Sequence, residues 1–192
     1  MANLKEIRNR ITSVGSTMQI TSAMKMVSAA KLKRAQDAII QMRPYANKLT
    51  ELLANLSASR DSSEGGGFSS ERDIKSVLLV TITSNRGLCG GFNANIIKSA
   101  VSLINNDFKE KNVSLISIGK KSSEFFKKNG YNLVNSFDDI FSDLTYDKTS
   151  IISESIMSEF LSGSYDKVVL VYNQFKNAAT QNVMNENFLP VE

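Results

Sequence analysis

An apolar seam running through the first sixty residues constrains this chain more than any other feature. Apolar side chains recur there at alternating gaps of three and four: Leu4, Ile7, Ile11, Val14 and Met18, then Leu32, Ala35, Ile39, Met42, Ala46, Leu49, Leu53 and Leu56. Of the sixteen positions in that register, only Thr21, Lys25 and Ser28 are not apolar. A period of about 3.5 residues held this long belongs to a left-handed coiled coil; a helix lying on a globular core drifts toward about 3.6. From Leu4 to about Ser57 such a helix would be roughly 80 Å long. The remaining ~130 residues make a domain only roughly 30–35 Å across. That domain cannot cover the whole stripe, so a helical partner is expected. No other segment of this chain is long enough to supply one, which leaves another chain or a further helix of a longer protein.

Composition narrows the class. An apolar content of 42% with 22% charged residues is that of a folded protein. No run of about eighteen apolar residues predicts a membrane span, and the opening Met-Ala-Asn-Leu-Lys-Glu does not read as a signal or transit peptide. Cys89 is the one cysteine, so no internal disulfide can form. There is no histidine, which removes the usual general base, the commonest metal ligand and every Ser-His or Cys-His pairing. The net charge of +4 is unevenly spread: residues 1–60 carry ten Lys or Arg against three Asp or Glu, and residues 61–192 thirteen against sixteen. The basic character therefore belongs to the helix, as would suit nucleic acid, anionic lipid or an acidic protein surface.

Asn3 with Glu6 reads as a capping-box start. Gly15 weakens the helix, and Pro44 is expected to kink it, since the heptad register continues beyond. Between Val14 and Leu32 the seam loosens, and Ile20, Met24 and Val27 form a second stripe. Methionine and small residues make that surface low in relief and adaptable, suited to a sliding contact or to enclosure by other chains. Lys31, Lys33 and Arg34 follow it as a basic ring. Residues 61–73 read as a polar, glycine-rich linker, and residues 74–192 as a separate domain. There, strands alternate with helices: strands at Val77–Thr83, Val113–Ile118, Tyr131–Asn135, Lys167–Tyr172 and Gln181–Leu189, helices at Asn95–Phe108, Lys120–Lys128 and Thr149–Leu161. This order predicts an α/β domain with a doubly wound, mostly parallel, Rossmann-like sheet.

One stretch resembles a site: Thr83-Ser84-Asn85-Arg86-Gly87-Leu88-Cys89-Gly90-Gly91-Phe92-Asn93, between the first strand and its helix. Phosphates are often held at this place in α/β sheets. The spacing matches neither G-x-G-x-x-G nor G-x-x-x-x-G-K-[ST]. The structural reading makes Arg86, Gly87, Cys89, Gly90 and Gly91 a tight turn whose glycines admit close backbone approach. Cys89, with no base or resolving cysteine beside it, reads as a small buried apolar residue. Asp138, Asp139 and Asp143 read as loop or surface carboxylates, and no catalytic constellation, cofactor site or metal site emerges.

Three stretches together resemble the gamma-subunit family of the F-type ATP synthase: Leu4 to Val14, Gln19 to Leu32, and Ser84 to Asn93. The likeness extends over essentially the whole chain, with Gly15 and Asn85 departing from residues the family commonly has, aspartate in the second case. The resemblance implies a non-catalytic rotor subunit of the central stalk, coupling proton flow to ATP synthesis or hydrolysis on the beta subunits. It implies that Met24, Lys25, Lys31, Lys33 and Arg34 face acidic segments of beta within the alpha3beta3 ring. The α/β domain would meet the epsilon subunit and the c-ring, peripheral to the cytoplasmic face of a bacterial inner membrane, with no membrane span of its own. A long C-terminal helix of the family is absent here, so the chain is expected to be an N-terminal part of the subunit. Two other readings compete: a nucleotide-dependent enzyme using the Gly87–Gly91 turn, and a basic coiled coil that binds nucleic acid.

Overall fold

A computed structural model describes residues 3–59, 67–70 and 72–191, with no side chains at 56–59. The chain divides into two compact units, Met1–Leu56 and Ser57–Glu192. Most of the stretch read as a linker, residues 61–66 and 71, lies outside the described residues, as does the side chain of Leu56.

The first unit is one helix, α1, Leu4–Ser59. The carbonyl of Asn3 accepts from the N–H groups of Glu6 and Ile7, and the side chain of Asn3 accepts from Lys5 N–H, so the helix starts where the capping residue places it. Pro44 lies inside the helix without ending it. Leu4, Ile7, Ile11, Val14, Met18, Leu32, Ile39, Met42, Leu49 and Leu53 are all exposed.

The second unit is built on a five-stranded sheet in the order β3-β2-β1-β4-β5. In chain order the strands are β1 (Ser76–Ile82), β2 (Asn112–Ile118), β3 (Leu133–Phe137), β4 (Lys167–Phe175) and β5 (Gln181–Leu189). All neighbours are parallel except β4 and β5. The central strand β1 is buried on both faces, which is why Val77-Leu78-Leu79-Val80 is continuously apolar. Leu78 and Val80 join one layer, with Ile152, Ile156 and Phe160 of α4 (Tyr146–Leu161). Val77 and Leu79 join the other, with Ile96 and Ala100 of α2 (Phe92–Ser102) and Phe126 of α3 (Lys120–Lys128). The doubly wound expectation is met, and α3 and β5 have the predicted bounds.

Six elements differ from their expected limits: β1, β2 and β4 by one to three residues, and α2, β3 and α4 for the local reasons that follow. Thr145 caps α4 by accepting from Lys148 N–H, starting the helix before Thr149. Beyond α2, the N–H of Phe108 donates to the carbonyl of Leu103 at 2.9 Å, a wide π-type turn through Leu103–Asp107. It lets Leu103, Ile104 and Phe108 all pack against the α2–α3 layer. Tyr131 was expected to open β3 but packs between rings instead, 5.3 Å from Phe126 edge to face and 6.3 Å from Phe125 stacked, so the strand begins at Leu133.

Candidate functional site

The glycine-containing turn follows β1 at the carboxyl end of the parallel strands, where doubly wound sheets usually bind ligands. Here that place is filled from within by Asn93, which is buried in the first turn of α2. Its Oδ1 accepts from Ser84 N–H at 2.9 Å, and its Nδ2 donates to Ser84 Oγ at 2.9 Å and to the Arg86 carbonyl at 3.1 Å. The same Nδ2 lies 3.2 Å from Cys89 Sγ. Asn173 of β4 adds a bond to the carbonyl of Phe92, at 2.8 Å. Asn93 thus takes up one backbone donor, Ser84 N–H, that a phosphate could address, the other backbone partners of these amides are carbonyls, and the turn beyond projects outward.

Arg86, Gly87, Leu88, Cys89, Gly90 and Gly91 are all exposed. Leu88 is fully so and takes a left-handed backbone with φ of 59°, a conformation that costs a branched side chain of this kind about 1–2 kcal/mol. The exposure of Cys89 corrects the expectation that it is buried: the turn carries it away from the core, and its thiol faces the Arg86 carbonyl. Among the described residues these glycines make no close backbone approach. A Cβ at Gly87 or Gly90 would meet nothing within 4 Å, and one at Gly91 only the side chain of Asn95. Gly90 is needed for its φ of +59°.

The glycine that does permit close approach is Gly119, after β2. A Cβ there would lie 2.1 Å from the Thr83 carbonyl oxygen, at a φ of +105°. Around it the base of the turn is locked to the start of α3. Thr83 Oγ1 and Ser122 Oγ are 2.9 Å apart, and Ser122 N–H donates to Thr83 Oγ1 at 3.0 Å. Asn85 donates to the carbonyl of Asp138 and accepts from Lys120 N–H at 2.9 Å. An aspartate at 85 could make only the second bond, so asparagine ties the turn to two elements rather than one. Asp138, read from sequence as a loop or surface carboxylate, also accepts from Ser123 Oγ at 2.9 Å. An open groove of about 410 Å³ runs between the turn, α2 and α3, lined in part by Leu88, Ala94, Ile97 and Phe125. Glu124 on its wall is held below the usual carboxylate range, chiefly by the hydrogen bond from Lys121.

On α1, the five residues expected to meet a partner do not share one face. At about 100° per residue, Met24, Lys31 and Arg34 fall on one side together with Ile20, Ala23 and Val27. Lys25 lies on the coiled-coil seam with Thr21 and Ser28. Lys33 points to a third side, where it pairs with Asp37 at 2.9 Å. The apolar residues of this stretch, Ile20, Met24, Met26 and Val27, are all exposed. Among the described residues, no helix is long and apolar enough to cross a membrane.

A family model described as ATP synthase matches residues 3–192. The ATP synthase gamma chain of Christiangramia forsetii is 56% identical over 192 residues, covering 100% of this chain and 67% of its own length. That of Flavobacterium johnsoniae is 57% identical over 191 residues, covering 100% of this chain and 66% of its own. This chain thus spans about two thirds of the length of these curated relatives. Among solved structures, a chain of the Tetrahymena thermophila mitochondrial ATP synthase central stalk and c-ring matches with TM-score 0.70 and 30% identity, over 89% of this chain and 72% of that one. A chain of the Euglena gracilis mitochondrial ATP synthase rotor matches with TM-score 0.56 and 20% identity, over 94% and 60%, a likeness of fold alone.

Proposed function

We propose for this chain, which belongs to the ATP synthase gamma-chain family, the part of shaft and base in a non-catalytic central-stalk subunit. Residues 1–60 are the shaft, 61–73 the connection and 74–192 the base. Rotation of the stalk, driven by proton flow, presents the shaft to three beta subunits in turn and changes their nucleotide affinities. Met24, Lys31 and Arg34, with Ile20 and Val27, form one contact face toward an acidic surface of those subunits. Lys25 and Lys33 reach beta from the neighbouring sides. The base meets the epsilon subunit and the c-ring, on the cytoplasmic face of a bacterial inner membrane.

The observation that carries this reading is the uncovered seam of α1. Ten exposed large apolar residues in one heptad register call for a second helix of matching length. The curated relatives are longer than this chain by about a third of their own length. We assign the covering helix to that remaining third.

Co-expression of this chain with the third of the Flavobacterium johnsoniae gamma chain that it does not cover tests the assignment. A 1:1 complex is expected, with amide exchange slowed through Leu32–Leu53. The assignment is lost if the two pieces do not associate, or if this chain forms a homodimer through the seam that the added piece cannot displace.

A further inference from the structure

The helix α3 ends on a cap built by three consecutive residues. The N–H of Asn129 donates to the carbonyl of Phe125 at 3.1 Å, and Asn129 Nδ2 donates to the same carbonyl at 2.8 Å. Gly130 follows at a φ of +72°, in the left-handed region that glycine enters freely. Its N–H donates to the Lys127 carbonyl at 3.4 Å, and the Tyr131 N–H donates to the Phe126 carbonyl at 3.1 Å. These two bonds form a Schellman motif, closed by the Tyr131 ring against Phe126 and beside Phe125. The shortest bond of the whole cap comes from an exposed asparagine side chain. Asn129 is also the one asparagine of the chain that precedes a glycine. An asparagine amide is open to attack at Cγ by the backbone nitrogen of the next residue, and a β-carbon on that residue obstructs the approach. Gly130 has none, and a Cβ built there would meet nothing within 4 Å. The attacking nitrogen is held only by its 3.4 Å bond. Lys127 and Lys128, both exposed, adjoin it in the last turn, and their charge favours its deprotonation.

We propose that Asn129 is a deamidation site, and that its conversion undoes the cap of α3. The Gly130 nitrogen, having given its proton to hydroxide, forms a bond to Asn129 Cγ. The Cγ–Nδ2 bond breaks, and the amide nitrogen leaves as ammonia with a proton taken from water, closing a five-membered succinimide. Water then opens the ring at either carbonyl, giving aspartate or isoaspartate. In sum an amide and a water become a carboxylate and an ammonium ion, with hydroxide and water as the only co-reactants. The product carries an acceptor where the cap needs a donor. A carboxylate at 129 cannot donate to the Phe125 carbonyl, and it sets a negative charge at the negative end of the helix. Phe125 lines the groove beside the glycine-containing turn, so the change at 129 reaches the wall of that groove.

Peptide mapping by mass spectrometry, on the 192-residue chain held in mildly alkaline buffer without denaturant, tests the chemistry. Asn129 is expected to lose ammonia at least about tenfold faster than Asn135, which precedes a serine, or any other asparagine. A rate no faster than that of Asn135, or conversion seen only in urea, overturns the proposal. Amide hydrogen exchange on Asn129→Asp tests the consequence. The amides of Gly130 and Tyr131 are expected to exchange at least about fivefold faster, while those of Leu78–Val80 keep their original rates. Unchanged rates at Gly130 and Tyr131, or equal acceleration at Leu78–Val80, would mean that the side chain does not hold this cap, and the proposal falls. If Asn129→Asp does not fold, Asn129→Ala, which removes the donor without adding a charge, is read in the same way. Neither measurement involves the seam of α1, so this inference and the stalk reading can fail separately.

Discussion

The helix α1 and the α/β domain are made of similar residues and treat them in opposite ways. In the domain, Val77 to Val80, Ile96, Phe126, Phe160 and Val171 are sealed between sheet and helices. In α1, residues of the same kinds stand in water along the whole seam. Burial contributes about 25 cal/mol for each Å² of apolar surface removed from water, so the domain carries its own stabilisation and the helix has yet to acquire most of its own. The difference separates two kinds of apolar pattern. A strand flanked on both faces is a core already complete, and a long heptad is half of one.

The largest test of that contrast is Gly119→Ala. With a Cβ 2.1 Å from the Thr83 carbonyl and a φ of +105°, the variant should lose about 3 kcal/mol or more. Guanidinium unfolding followed by tyrosine emission measures it; a loss under about 1 kcal/mol would show that the close approach relaxes at little expense and that the domain is softer than its packing implies. Next comes acid. Bonds from Ser76 and then Lys75 N–H, with Arg72 nearby, hold the Asp166 carboxyl below the usual aspartate range. Its stabilisation is therefore present above the unfolded value of about 3.9 and disappears as the pH falls through the lower folded value. Asp166→Asn should be less stable than the original chain by about 1 kcal/mol at neutral pH, and the gap should close below about pH 4. A gap that persisted into strong acid would assign the effect to shape, not charge. Smallest of all, Leu49→Ala and Leu53→Ala should each shift stability by no more than about 0.5 kcal/mol, because both side chains are already exposed. The same substitutions should cost about 2 kcal/mol or more once a second helix covers them. A large loss in the unpaired chain would erase the contrast.

The sequence makes plain whatever depends on period and punctuation. The heptads of α1, the apolar runs of β1 and β4, and the stop of α3 at Gly130 all have local causes. It conceals whatever depends on partners distant in the chain. Asn93 looks like an ordinary surface residue of a helix start, and only folding brings Ser84 and the Arg86 carbonyl to it. Gly119 is a lone glycine between strand and helix, and its neighbour Thr83 belongs to a different crossover. Cys89 misleads because its residue type is usually buried, whereas the turn that carries it points outward. Tyr131 has the propensity of a strand residue but serves an aromatic cluster. The contact face proposed for α1 lies between these cases: the residue types can be read from the sequence, and the separation of Lys25 and Lys33 from Met24, Lys31 and Arg34 appears only when the helix is drawn in the round.

Filling the notch at the carboxyl ends of β1 and β4 with Asn93 and Asn173 has a mechanical consequence. A sheet of this architecture that admits a small molecule commonly gains and loses rigidity with its guest. One tied by its own amides takes its stiffness there from bonds made within the chain.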